Sequence, residues 1–300
     1  MRKAKVLITG ASGMLGSRIF KLLKSNTNYQ VVGIGRASDG QEGHIACDIT
    51  DIPAFIKVMK ELSPDYVVHC AANVNLESCE KEKEYTYKLH VVTSRVIAAM
   101  ESVKKSIFIS TDSVFNGLTG NYKEDNFVHP LNYYALTKAL AEESFLNARH
   151  PSVVVRTNMF GFNNPVRKSL FEWAWTNLRD NIGISGYSNV YFNPLYVETI
   201  AKIVGQLLEN DLTGLLHIGC AEGISKYDFI SKIADLFAFS PALVKSAVAD
   251  NNGPIQRPMN TILNTEQTQQ RIGITMPDIG TELSELFNDF KEIKQLIKHD

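Results

Sequence analysis

Residues 6–16 read VLITGASGMLG, and this stretch constrains the fold more than any other. A short apolar run ends at a glycine, and a helical pattern begins within the turn. Gly10, Gly13 and Gly16 divide the work. The first permits a tight turn, the second lets a backbone approach a pyrophosphate, and the third allows close packing. The following helix presents unpaired N–H groups to an anion. Gly10, Ser12, Gly13, Met14, Leu15 and Gly16 are therefore the expected phosphate-side contacts. A glycine trio alone is weak evidence of a ligand, but its place in a first strand–helix turn makes it much stronger.

The rest of the chain supplies that context. Short β-branched runs at 31–34, 44–47, 66–70, 106–109 and 152–155 alternate with helical patterns at 14–24, 52–62, 85–103 and 136–148. This alternation predicts βαβ units and a doubly wound parallel sheet of Rossmann type. After Arg156 the pattern loosens. A helix is expected at 168–179 and another at 199–208, with a strand at 215–218. Helix and polar loop follow from Ser225, a loop spans 250–257, and a last helix covers 283–297. The expected organisation is a dinucleotide-binding domain over 1–156, with 188–220 returning to it. Residues 157–187 and 221–300 form a smaller, mostly helical substrate part.

Composition narrows the function classes. Lys and Arg total 31 and Asp and Glu 32, so the chain has no broad electrostatic reason to seek nucleic acid or an anionic membrane. It has no apolar run of about 18 residues, the length of a membrane span. The N-terminal apolar stretch is too short for a signal-peptide core and reads as a first strand. Cys47, Cys70, Cys79 and Cys220 form no C-x-x-C pair, and free buried thiols in a reducing cytoplasm are expected. Seven histidines without metal-binding spacing give no metal site.

The second strand ends Gly35-Arg36. Arg36 suits a 2′-phosphate through its always-charged fork, which favours NADPH, with NADH as the alternative through Asp39. A solvated surface arginine is the competing reading. Asp48, beside Ile49, is placed to accept from an adenine amino group, although Asp51 is the better helix cap. Ala71 and Ala72 are small residues at a strand end, where a cofactor needs close approach.

Residues 110–117 read STDSVFNG and residues 132–138 read NYYALTK. Tyr134 and Lys138 lie four residues apart and share one helix face. A phenol with a pKa of about 10 is a poor acid, and a nearby ammonium is expected to lower it. The pair can then protonate a carbonyl oxygen as hydride arrives at carbon, with Thr111 bonded to the same oxygen and Lys138 on the nicotinamide ribose.

Together, T-G-x-x-G-x-x-G, S-T-D-x-V-F-x-G and P-L-N-x-Y-x-x-x-K resemble the extended short-chain dehydrogenase/reductases. The dTDP-4-dehydrorhamnose reductase family is the most similar. QRPMNTILN at 256–264, followed by Arg271-Ile272-Gly273, extends the likeness over nearly the whole chain. The resemblance implies NADPH-dependent reduction of a 4-keto group on a nucleotide-activated 6-deoxysugar, with Thr111, Tyr134 and Lys138 catalytic. It places Asn73, Ser113 and Arg257 on the substrate side, Arg257 gripping a diphosphate. Departures fall mainly on the sugar-facing motifs. Ser113 stands for Tyr, His90 for Asn, Ala135 for Gly, and RTNMFG at 156–161 lacks the family's Trp. The segment SNVYFNPL at 188–195 replaces Q-x-G-x-P-T.

Two other functions fit the same motifs. One is a cofactor-binding regulatory subunit, like the β-subunit of methionine adenosyltransferase, which resembles the same family. The other is a nucleotide-sugar epimerase or dehydratase, for which Asp112 beside Thr111 is the acidic candidate. A homodimer is one expected assembly. Trp173 and Trp175 either line the substrate cleft or pack in the core, and His69 reads as a core residue.

Overall fold

A computed structural model describes residues 2–36, 42–163 and 169–297. Six strands open the chain: β1 (Ala4–Thr9), β2 (Tyr29–Gly35), β3 (His44–Ala46), β4 (Tyr66–His69), β5 (Lys105–Thr111) and β6 (Ser152–Thr157). The later strand Gly214–Ile218 joins them in one parallel sheet. From that strand the order runs β6, β5, β4, β1, β2, β3. This is the expected doubly wound Rossmann sheet, with the order reversing at β1 and β4.

The strands are apolar almost throughout because both faces of the sheet are covered. Alternation sorts their side chains. Val6, Ile8, Ile107, Ile109, Val153 and Val155 enter one core, while Leu7, Phe108 and Val154 enter the other. Helix α1 (Met14–Lys24) covers the first face with Leu15, Ile19 and Leu23. Helix α2 (Ile52–Leu62) covers the second with Phe55 and Met59. Its start is capped by Asp51, whose carboxylate accepts from the Ala54 N–H at 3.1 Å.

In place of the single helix expected at 85–103, the chain forms four pieces that begin at Leu76. These are α3 (Leu76–Lys81), α4 (Lys83–Tyr87), a π-helical turn (Lys88–Val92) and α5 (Thr93–Ala98). Asn75 caps α3 and starts the helical run earlier than the apolar spacing suggests. Val103 packs in the core beyond the helix end, which extended the apolar pattern past it. Helix α6 (Tyr133–Leu146) follows β5 and supports the site.

The expected helix at 168–179 is Leu170–Arg179; Lys168 lies outside the described residues. A strand the sequence did not signal, Val244–Ala247, pairs in parallel with Ile184–Tyr187. Only Val244 of its four residues is buried, so it carries almost no apolar signal. The first core continues into the C-terminal half through Phe160, Phe171, Trp175 and Phe229. Trp175 packs edge-on against Phe162 and Phe237, whereas Trp173 is exposed.

Candidate active site

Ligands of open parallel sheets bind where the strand order reverses. At that point the glycine turn leaves β1 and residues 70–75 leave β4. Gly10 adopts φ +69°, and a methyl group on it would come within 2.8 Å of the Ala71 backbone. A methyl on Gly16 would overlap the Gly10 carbonyl oxygen, so its close packing is against the turn itself. Gly13 is the N-cap of α1, with no side-chain cap and no acidic residue in the first turn. The helix therefore offers its first N–H groups, with no carboxylate nearby in sequence to repel an anion.

A cleft of about 890 Å³ opens from this turn. Gly10, Gly13, Met14, Leu15, Gly16 and Ala72 line it, as do Thr111, Tyr134 and Lys138. The other expected cofactor residues sit outside its walls. Ser12 and Arg36 are exposed, and Asp39 lies outside the described residues. Asp48 Oδ1 accepts from the Thr50 N–H at 2.9 Å and the Thr50 hydroxyl at 2.7 Å. Ile49 is buried in the second core. Ala71 lies beneath Gly10 and donates its N–H to Thr9 Oγ1 at 3.3 Å.

Helix α6 starts firmly. Asn132 Oδ1 accepts from the Ala135 N–H at 3.0 Å, and Glu80 Oε1 from the Tyr133 N–H at 2.7 Å. Asn132 Nδ2 also donates to the Gln256 carbonyl at 3.0 Å, holding the loop that carries Arg257. Tyr134 and Lys138 project from successive turns. Lys138 Nζ donates to the Ile109 carbonyl at 2.6 Å and lies 4.0 Å from the centre of the Phe108 ring. Burial pushes its pKa down to about 7, while Glu142 one turn on pulls the other way.

The expected lowering of the Tyr134 pKa by Lys138 does not occur. Burial raises the phenol above its usual range, and a hydrogen bond with Thr111 opposes that rise. The Lys138 side chain gives one of its N–H groups to Ile109 and is not among the groups that act on the phenol. Tyr134 is thus held protonated, the form needed to give up a proton.

Beneath the site, Glu142 binds Arg156 through both carboxylate oxygens, with Nη2 at 2.7 Å and Nε at 3.0 and 3.1 Å. Ser110 donates to the same carboxylate. A buried pair this well bonded locks α6 to the ends of β5 and β6. Asp112 is also buried. Its Oδ2 accepts from Thr261 at 2.6 Å and Asn158 at 2.9 Å, and its Oδ1 from Thr111 and Ser113, both at 3.2 Å.

Of the expected substrate-side residues, Ser113 and Arg257 line the cleft. The Asn73 side chain is spent locally, donating to Ser78 Oγ at 2.8 Å and accepting from the Asn75 N–H at 3.1 Å. The sequence reading missed Lys226, which lines the cleft beside Arg257. Burial lowers the Lys226 pKa, and Arg257 lowers it further. A lysine in the first turn of a helix opposes the helix dipole. That anomaly, after the cap Ser225, was the available signal.

A Rossmann sheet, a glycine turn at its switch point and Thr111, Tyr134 and Lys138 lining one cleft define an extended short-chain dehydrogenase/reductase. Residues 4–292 match the RmlD substrate binding domain family, and the chain belongs to it. It is 29% identical to a dTDP-4-dehydrorhamnose reductase of Aggregatibacter actinomycetemcomitans, over 92% of this chain and 95% of the relative. It is also 29% identical to methionine adenosyltransferase 2 subunit beta of Xenopus tropicalis, over 90% and 83%. The crystal structure of a dTDP-4-dehydrorhamnose reductase from Bacillus anthracis in complex with NADP superposes with a TM-score of 0.86. That match covers 96% of this chain and 100% of the other at 23% identity.

Proposed function

We propose that this protein is an NADPH-dependent reductase of a 4-keto group on a nucleotide-activated 6-deoxysugar. The observation that carries the reading is Tyr134, hydrogen-bonded to Thr111 and opening into the same cleft as Lys138 and the uncapped α1. The residues fit a dinucleotide: α1 would hold the pyrophosphate, and Lys138 the nicotinamide ribose. NADPH supplies hydride when bound. Thr111 bonds the substrate carbonyl oxygen, and Tyr134 gives it the proton that completes the hydroxyl. The anchored α6 fixes the Tyr134 backbone, so orientation carries much of the acceleration.

Lys226 and Arg257 line the same cleft close enough for Arg257 to depress the Lys226 pKa. We assign them to the substrate diphosphate. With NADPH the principal cofactor and NADH the alternative, Arg36 remains the proposed 2′-phosphate contact. Four free thiols suit a cytoplasmic enzyme.

A dehydratase would need Asp112 free to reach its substrate, but four donors hold its two oxygens. The Xenopus relative favours a second reading, in which the cleft binds cofactor and the chain regulates a partner enzyme. The test is NADPH consumption with dTDP-4-dehydro-L-rhamnose and related 4-keto nucleotide sugars. Tyr134→Phe should lower turnover by roughly 10²–10⁴-fold. Full activity in that variant would refute the mechanism. NADPH binding without turnover, together with a stoichiometric enzyme partner in a pull-down, would favour the regulatory reading.

A further inference from the structure

We propose that His90 is a positioning residue for the reduction, tying the strand-end loop after β4 to the catalytic helix. It rests on the reductase reading above. His90 sits in the π-helical turn Lys88–Val92, a rare geometry that often marks a functional position. Its ring is buried, and both nitrogens are engaged. Nε2 accepts from the Asn73 backbone N–H at 2.9 Å. That bond fixes the tautomer, so Nδ1 carries the proton and donates to Thr137 Oγ1 at 2.8 Å. Thr137 in turn donates to the carbonyls of Tyr133 and Tyr134, each at 2.9 Å.

The imidazole also stands edge-on to the Tyr134 ring, with centroids 5.9 Å apart. One neutral side chain thus bonds the loop beside Ala71 and Ala72, reaches the first turn of α6 through Thr137, and flanks the phenol. The turn that presents it is braced. Ser94 Oγ donates to the His90 carbonyl at 2.6 Å, and Thr93 Oγ1 to the Leu89 carbonyl at 2.5 Å. Burial keeps His90 uncharged, so the ring holds one proton, on Nδ1, and puts no charge beside Tyr134. It acts through the placement of Tyr134 and of the 71–73 loop.

His90→Phe keeps a ring against Tyr134 and removes both hydrogen bonds. Thr137→Val removes only the link to the helix. A misplaced acid costs up to about 10²-fold, so both variants should lower kcat by roughly 10- to 100-fold and move the sugar KM by less than about 2-fold. The double variant should be no worse than the poorer single one, because both cut one chain of bonds. His90→Phe alone should also weaken NADPH binding by about 5-fold, the worth of one hydrogen bond to the loop.

Unchanged kcat in Thr137→Val, losses that multiply in the double variant, or a raised KM at full kcat would each overturn the proposal. So would an acid limb in the kcat profile that disappears in His90→Phe, which would make His90 a proton carrier. The wild type is assayed alongside. NADPH binding without turnover there refutes the reductase reading instead, and the NADPH affinity of His90→Phe then decides the loop contact: about 5-fold weaker supports it, and unchanged overturns it.

Discussion

Lys138 places an amine where an uncharged group would be more stable. Its pKa of about 7 lies below the roughly 10.4 of an exposed lysine. Between those values the unfolded chain binds the extra proton, so stability rises with pH across the window. Below pH 7 both states are protonated and the full burial cost is present. Lys138→Met should therefore stabilise the cofactor-free protein at pH 7 while abolishing turnover. The lost bond to Ile109 and the lost contact with Phe108 offset part of the gain. A net of about 1–2 kcal/mol, or roughly 2–4 °C in Tm for a chain this long, is expected. The advantage should shrink by pH 10. Calorimetry at both pH values checks this; a destabilised variant, or a gain that does not change with pH, would contradict it. The sequence made Tyr134 and Lys138 visible through spacing and order. It did not reveal that burial, rather than the lysine, would govern the phenol, because desolvation depends on every element packed around it.

At the scale of elements, the glycine turn separates folding from binding. A methyl on Gly16 overlaps the turn's own backbone, whereas on Gly13 its nearest neighbour is the Gly10 carbonyl oxygen at 3.1 Å. Gly16→Ala should cost about 1–3 kcal/mol of stability, as overpacking does. Gly13→Ala should fold nearly normally and lose NADPH affinity by about tenfold, near 1.4 kcal/mol, because its methyl enters the cleft. Thermal melts paired with NADPH titrations distinguish them; equal loss of stability in the two would refute the division. Helices α1 and α2 were legible to the residue because an apolar stripe coincided with a clear start at Gly13 or Asp51. The π-helical turn was not. Its extra residue breaks the 3.6 period without leaving a compositional mark, and the apolar spacing read straight through it.

Across the whole molecule, the alternation of strand and helix identified the sheet because a parallel sheet covered on both faces must be apolar throughout. The substrate side carried no comparable signal. Asp112 meets Thr261 across 149 residues of chain, and Asn132 meets Gln256 across 124. Lys226 reaches the cleft from a helix that the sequence marked only as helix. Such ties are single polar contacts between distant loops, with no periodicity to announce them. They nevertheless bring Arg257 and Lys226 to the same cleft as Tyr134, where the proposed reading puts the substrate diphosphate.

That pairing of ends is most directly tested by following the hydride. NADPH carrying deuterium at its transferring carbon is incubated with the protein and a 4-keto nucleotide sugar, and the product is read by NMR and mass spectrometry. One deuterium on sugar C4, formed by the wild type and not by Tyr134→Phe, is the predicted result. NADPH bound but unconsumed across the sugar panel, or deuterium at any other carbon, would contradict it.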